Sequence, residues 1–265
     1  MLHLKIYGKN AFNAVAFHLL ISALVLGLLA ILVFGLWFPA PLRALTGGTK
    51  LFWMVAGVVL VCGPVLTLVM FNNLKSESEL RRDLAVVGCI QLLALGYGVH
   101  ALSYARPVAL VYEIDRFRVV SFASLDEAES EQIPSWAKPL RLSPLQTVGL
   151  RAANNSQEQM TSIDASLQGI EPSQRPSWWQ DYSLNIPQIL QRARPLTELH
   201  SKHSAKVSML DTATAQAIAD VQLGETIVPA ALLWLPLVSS RVTDWIVLLD
   251  PATARVRGYA HLDGF

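Results

Sequence analysis

The chain has 265 residues, 52% of them hydrophobic, with a mean hydropathy of +0.39, which excludes an ordinary soluble protein. Charge is divided: residues 1–104 hold seven Lys and Arg against three acids (+4), and residues 105–265 hold fourteen against seventeen (−3). A C-terminal part at −3 carries no electrostatic footprint for nucleic acid and no polybasic patch for lipid.

Three runs lack any charged residue: Ala14–Leu36 (23 residues), Leu51–Phe71 (21) and Leu84–Tyr104 (21). A helix crosses a bilayer core in about 20 residues and satisfies its own backbone where water is absent. Residues 1–104 are therefore expected to form a three-helix transmembrane bundle. Residues 105–265 are expected to form one α+β soluble domain. The first run is longer than a signal-peptide core and no small-x-small site follows it, so it is expected to be an uncleaved span.

Trp37-Phe38-Pro39 reads as an interfacial aromatic pair and a breaker, and Lys50-Leu51-Phe52-Trp53 as a second anchor. Pro64, mid-span, should kink the second helix. Small residues recur four apart at Ala23/Gly27, Gly63/Thr67 and Ala94/Gly98, a spacing that lets helices approach closely in lipid. Either the three spans pack on each other through these faces, or one face is kept for a partner helix. Cys62 and Cys89 lie inside apolar runs, give no disulfide framework or zinc site, and read as small buried residues. His18, Gln91 and His100 are polar groups at membrane depth, where such groups are costly and often functional. The spans hold no carboxylate, so a proton relay or ion pathway lacks its usual partner.

Beyond Tyr104, Pro107–Ile114 and Phe117–Phe122 read as strands. Ser124-Leu125-Asp126-Glu127 has the form of a capping box before a short acidic helix. Ile133–Pro144 and Pro172–Trp179 are Pro-rich loops. Met160, Ile163, Leu167 and Ile170 share one helical face, ended by Gly169. Pro187–Arg194 and Leu196–His203 are helical pieces divided by Pro195, and Asp211 is placed to cap a helix through Ala219. Leu232–Val238, Trp245–Leu249 and Val256–Ala260 read as strands, the last two joined by an Asp250–Thr253 turn. Pro236 predicts an edge position for the first of these, open to strand addition.

No phosphate-binding glycine loop, Gly-x-Ser-x-Gly, His-Glu-x-x-His or Cys-x-x-Cys occurs. His200 and His203, with His261 the only other domain histidine, do not make a metal set. Asp126, Glu127, Glu129 and Glu131 lack the EF-hand pattern and read as a solvated face. Trp178-Trp179, after a Pro-rich loop, reads as a core plug, with contact to a ligand or a membrane surface as the alternative. The acidic pair nearest the membrane is Glu113/Asp115, beside Arg116, which salt bridging within the strand explains as well as chemistry does. No cofactor is implied.

Positive-inside counting is tied: Lys5, Lys9, Lys75, Arg81 and Arg82 on one side, Arg43, Lys50, Arg106, Arg116 and Arg118 on the other. Crowding of Lys75, Arg81 and Arg82 into one short connection favours that side as cytoplasmic.

His18-Leu19-Leu20-Ile21-Ser22-Ala23 resembles the opening of the type IV pilin accessory proteins, the TfpZ/TfpY/FimB-like family. The similarity runs through Trp37–Pro41, Gly63–Leu68, Asp83–Val86 and Gln91-Leu92. It is strongest in Ala105–Val108 and Val111–Val120, and resumes in Leu235–Val238 and Val247–Thr253. Residues 124–230 carry none of it. The resemblance implies a non-enzymatic, chaperone-like inner-membrane protein of a Gram-negative bacterium, with a periplasmic C-terminal domain. It would help a cognate major pilin accumulate, be handed over or assemble into the type IV pili of twitching motility. Partners implied are the pilin's membrane helix and periplasmic head, the lipid bilayer and pilus assembly-platform proteins. A membrane-anchored sensor that binds a ligand, and an enzyme modifying pilin or glycan, are the alternatives.

Pilins as a family carry a carboxylate near the cytoplasmic end of their apolar helix. His18 and Gln91 would lie about 7 and about 12 Å inside that end at 1.5 Å per residue, placed to donate to it. The rival is a hydrogen bond between His18 and Gln91 themselves. Glu113, Asp115, Arg116 and Phe117, just beyond the third span, are expected to orient the domain and meet the partner.

Overall fold

The computed structural model describes residues 2–40, 42–70, 75–202, 207–219 and 229–265. Three of its helices are long and apolar enough to cross a membrane: Phe12–Trp37, Gly48–Met70 and Glu77–Ala105. They belong to α1 (Leu2–Leu32, continued by a π turn over Val33–Trp37), α3 (Gly48–Met70) and α4 (Glu77–Ala105); α2 (Leu42–Thr46) is one short turn between the first two. The chain forms two units, one of residues 1–43 and 47–105, the other of 44–46 and 106–265.

In the first unit, α1 and α4 each pack along α3. Helix α4 begins seven residues before its apolar run, because Ser76 and Glu79 form a capping box: Ser76 N–H donates to Glu79 Oε2 at 2.9 Å and Glu79 N–H to Ser76 Oγ at 3.4 Å. The connection between the second and third spans is thus shorter than the apolar pattern suggests. Trp37 and Phe38, expected at the lipid interface, are instead buried among Leu26, Val33, Phe52 and Leu102, while Trp53 faces outward. Trp37 closes the π turn, and Phe38 N–H donates to Val33 O at 2.6 Å. Two of the three small-residue pairs serve helix packing. Gly63 and Thr67 are buried, and Gly98 is covered by Val55. Ala23 and Gly27 face out, with nothing over Gly27. Cys62 and Cys89 also face out rather than inward, because their neighbours Gly63 and Gly88 do not share their direction on a helix.

The second unit is one eight-stranded mixed sheet with helices. Its elements are β1 (Pro107–Glu113), β2 (Arg116–Ser121), β3 (Gln146–Leu150), α5 (Ser156–Leu167), β4 (Trp179–Asp181), α6 (Ile186–Arg192), β5 (Arg194–Pro195), α7 (Leu196–Lys202), α8 (Val207–Ala219), β6 (Leu233–Val238), β7 (Trp245–Leu249) and β8 (Val256–Ala260). The order is β4-β3-β1-β2-β6-β7-β8, with β5 paired to one end of β6. All of β1 is buried, as a central strand covered on both faces must be. One core lies under α7 and α8, around Leu199, Leu210, Trp234 and Leu248. The other lies around Val108, Val111, Val120 and Ala137.

Four sequence expectations are corrected. Strand β6 is central, not an edge: it pairs with β7, β2 and β5. Pro236 is tolerated because β5 pairs only with Leu233 and Trp234 and β2 only with Leu237 and Val238. Its missing N–H thus falls in the break between those two partners on that flank. Helix α5 forms where predicted, capped by Asn155 Oδ1 accepting from Glu158 N–H at 2.8 Å. Its Met160, Ile163 and Leu167, however, are exposed; the covered face is Ser162, small enough to lie against the domain. The acidic segment is a 3₁₀ turn capped by Asp126 rather than Ser124. Asp211 lies inside α8 rather than at its start.

Candidate functional site

Two of the three polar residues singled out at membrane depth, His18 and Gln91, converge; the third, His100, is exposed with its ring 4.5 Å from that of Tyr104 and does not line the same groove. His18 on α1 hydrogen-bonds through Nδ1 to Thr67 Oγ1 on α3 at 2.7 Å. Gln91 on α4 donates through Nε2 to Val59 O on α3 at 2.6 Å. Val59 lies five residues before Pro64 on the same helix, next to Leu60, whose carbonyl loses its intrahelical donor to the proline. Between these anchor points is Gly63. A Cβ there would collide with Gln91 Oε1 and with His18 Nε2, so both side-chain tips lie over the bare glycine. Among the described residues no hydrogen bond joins the two directly; each is held by the middle helix.

They form the polar floor of an open groove of about 380 Å³ between α1 and α4. Its walls are Ala14, Phe17, Ile21 and Val25 on one side and Leu84, Gly88, Leu92 and Leu95 on the other. Eleven residues separate Ala14 from Val25, and eleven separate Leu84 from Leu95, so the groove runs about 16 Å along both helices at 1.5 Å per residue. The small residues Ala14, Ser22 and Gly88 on its lining allow close approach of a backbone. Gln91 uses one of two amide N–H donors on Val59; its second N–H and Oε1 remain, among the described residues, within an otherwise apolar trough. The sequence missed Thr67 and the Val59 carbonyl as anchors. The Gly63/Thr67 spacing was the signal that pointed there.

The site residues that follow the third span in sequence divide into supports and surface. Glu113 is buried and accepts from Arg118 Nε at 3.1 Å and from Ser173 N–H at 3.3 Å, with Arg116 Nε 3.7 Å away. Phe117 is fully buried against Tyr112 and Tyr182. Burial pushes the hydroxyl pKa of Tyr112 up, and that hydroxyl donates to Ile114 O at 2.6 Å. The surface of the hairpin is its tip, where Ile114 is 69% exposed and Asp115 exposed, with Arg116 partly so. Ile114 stands at φ +59°, a left-handed conformation that a β-branched residue seldom adopts.

The remaining candidates are structural. Trp178 is buried with the guanidinium groups of Arg151 and Arg175 over its ring at 4.8 and 5.3 Å. Trp179 stacks on Trp136. Glu129 is buried and pairs with Arg175 at 2.9 Å. His261 pairs with Asp244 at 2.7 Å. His203 and the side chain of His200 lie outside the described residues. Among the described residues, no three His, Cys, Asp or Glu side chains gather as metal ligands.

Residues 7–47, which include His18 and one wall of the groove, match the family described as FimB, fimbrial assembly protein. Two relatives from Dichelobacter nodosus are the fimbrial assembly proteins of serogroup I and serogroup E1. They are 35% and 34% identical over 240 residues, covering 88% of this chain and 88% of each relative. The fimbrial assembly protein of serogroups C1 and C2 from the same organism is 40% identical over 104 residues, 39% of this chain and 79% of the relative. No solved structure matches. Identity at this level over most of both chains places the protein in the fimbrial assembly protein family that includes FimB.

Proposed function

We propose that this protein acts in pilus assembly as a non-enzymatic, inner-membrane docking protein for its cognate type IV major pilin. The pilin's apolar helix lies in the groove between α1 and α4, and its head meets the domain through the hairpin tip Ile114-Asp115-Arg116. The observation that carries this is the convergence of His18 and Gln91 on Gly63 at the floor of a trough about three helical turns long. A fourth helix there would complete a four-helix arrangement. A hydrogen-bonding side chain on that helix, such as the carboxyl expected of a pilin, would find the second amide N–H of Gln91 and the imidazole of His18. A lipid tail fills such a trough equally well but leaves those polar groups unanswered, which costs free energy in hydrocarbon.

Two modest contacts on one scaffold raise the local concentration of a client without tight binding at either. That suits a protein that hands its client on to the assembly platform. In this reading the N-terminus is cytoplasmic and the domain periplasmic, where a pilin head resides. Glu113 and Phe117 act from beneath, fixing the shape of the hairpin that Asp115 and Arg116 present. Photocrosslinking from Leu92, on the groove wall, in native membranes tests the proposal. The expected product contains the pilin; a product with lipid alone contradicts it.

A further inference from the structure

Arg106 follows immediately on the last residue of α4, and its side chain is almost wholly buried, with no carboxylate partner among the described residues. Its guanidinium instead donates to three backbone carbonyls of one loop: Trp136 O at 3.0 Å, Lys138 O at 2.9 Å and Ser143 O at 3.0 Å. Burial lowers its pKa, yet an arginine stays charged under any ordinary condition. The loop base is fixed further by Ala137, fully buried, and by Trp136 stacked on Trp179 with ring centroids 5.6 Å apart.

The rest of the loop is displayed. Leu140 and Leu142 are 57% and 67% exposed, and Lys138 and Arg141 are exposed with them. Leu140 stands at φ +59°, a conformation costly for any residue with a Cβ. Glycine or asparagine would adopt that conformation at lower cost. The sequence instead keeps a large apolar side chain in a strained, outward-facing position, between two cations.

Covalent continuity says what lies nearby. The residue that clamps this loop is bonded to the end of a membrane span, so the loop base is one side-chain length from where the chain leaves the hydrocarbon. Apolar side chains flanked by Lys and Arg at that level match an interfacial anchor, with the apolar groups in the acyl boundary and the cations among the headgroups. We propose that the Lys138–Leu142 segment is such an anchor, inserting Leu140 and Leu142 into the same bilayer that holds the third span. It would add a direct lipid contact to the chain crossings at 43/44, 46/47 and 105/106 that join the domain to the spans. Leu167 on α5 is equally apolar and 83% exposed, but no comparable clamp ties it to the span, and it serves as the control.

The test uses the full chain, with Cys62→Ala and Cys89→Ala, in nanodiscs of phosphatidylethanolamine and phosphatidylglycerol. An environment-sensitive fluorophore is attached through Leu140→Cys, Leu142→Cys or Leu167→Cys. Lipid carrying a nitroxide near the glycerol level should quench the first two several-fold more than the third, with blue-shifted emission. Equal quenching at all three positions overturns the proposal. Shielding of Leu140 and Leu142 from an aqueous quencher without quenching by the lipid label means that protein covers them, and also overturns it.

Discussion

His18 on α1 and Gln91 on α4 meet over the bare α-carbon of Gly63 on α3. Neither bonds to the other; each is tied to α3, through Thr67 and Val59. The middle helix therefore acts as a jig that holds two polar tips side by side at one depth. That depth coincides with the floor of the groove, so packing, polarity and access are fixed by one glycine.

Gly63→Ala should accordingly be disruptive although alanine is the better helix former. The new methyl occupies the space of both tips, and overpacking of this kind costs about 1–3 kcal/mol. We expect purified Gly63→Ala protein in detergent to melt earlier than wild type and to lose pilin crosslinking. Gly27→Ala, where nothing lies within contact distance, should change neither.

The hairpin tip offers a test in which stability and function move in opposite directions. Ile114→Asn relieves a left-handed β-branched residue, and asparagine tolerates that conformation; the gain is about 1 kcal/mol. It also removes an exposed apolar contact. We expect a higher melting temperature together with fewer pili. Phe117→Ala, by contrast, empties a fully buried aromatic site at about 3–5 kcal/mol and should lower the amount of protein itself.

Much of this architecture was legible from periodicity. The spans, the β1–β2 hairpin and the β7–β8 hairpin follow directly from apolar runs, β-branched stretches and the Asp250–Thr253 turn. His18 and Gln91 were visible because polar residues at membrane depth stand out against their surroundings. That they share a glycine on a third helix was not visible, since periodicity assigns residues to faces and not faces to one another. Pro236 misled for a related reason. Its missing donor excludes a ladder bond, not a central strand, and the short partners β5 and β2 leave a break where it sits. Met160, Ile163 and Leu167 obeyed helical spacing, but spacing does not say which face a domain covers. Trp37 and Phe38 had the composition of an interface belt and became core through a π turn that propensity does not reveal.

The β7–β8 turn should govern part of the acid stability. Asp250 accepts from the N–H groups of Ala252 and Thr253 at 2.9 and 2.8 Å and from Arg257 Nη2 at 2.9 Å. Burial alone would raise its pKa; the Thr253 N–H, Arg257 and the Ala252 N–H outweigh that and hold it at about 2. The unfolded value is about 3.9. The stabilisation is therefore complete above that value and is lost as pH falls from about 4 through about 2. Denaturant unfolding of the domain signal across that range should show the loss. Asp250→Asn should be less stable at neutral pH and show a shallower dependence.

The proposed topology makes its own demand. A reporter active only in the periplasm, fused after Phe265, should be active, and a cytoplasm-only reporter at the same site silent. The reverse pattern would place the domain on the wrong side of the membrane for a pilin head.

The most direct measurement is crosslinking between the groove and the pilin in the double variant His18→Leu with Gln91→Leu. Interhelical hydrogen bonds in lipid are worth about 0.6–2 kcal/mol each, so losing both weakens docking about ten-fold or more. Leucine keeps the helices apolar but also removes the His18–Thr67 and Gln91–Val59 bonds, so crosslinking is read per molecule of this protein in the membrane. The account predicts that pilin crosslinking from Leu92 per molecule falls about ten-fold or more and that pilus number falls with it. Crosslinking at the wild-type level in the double variant would contradict it.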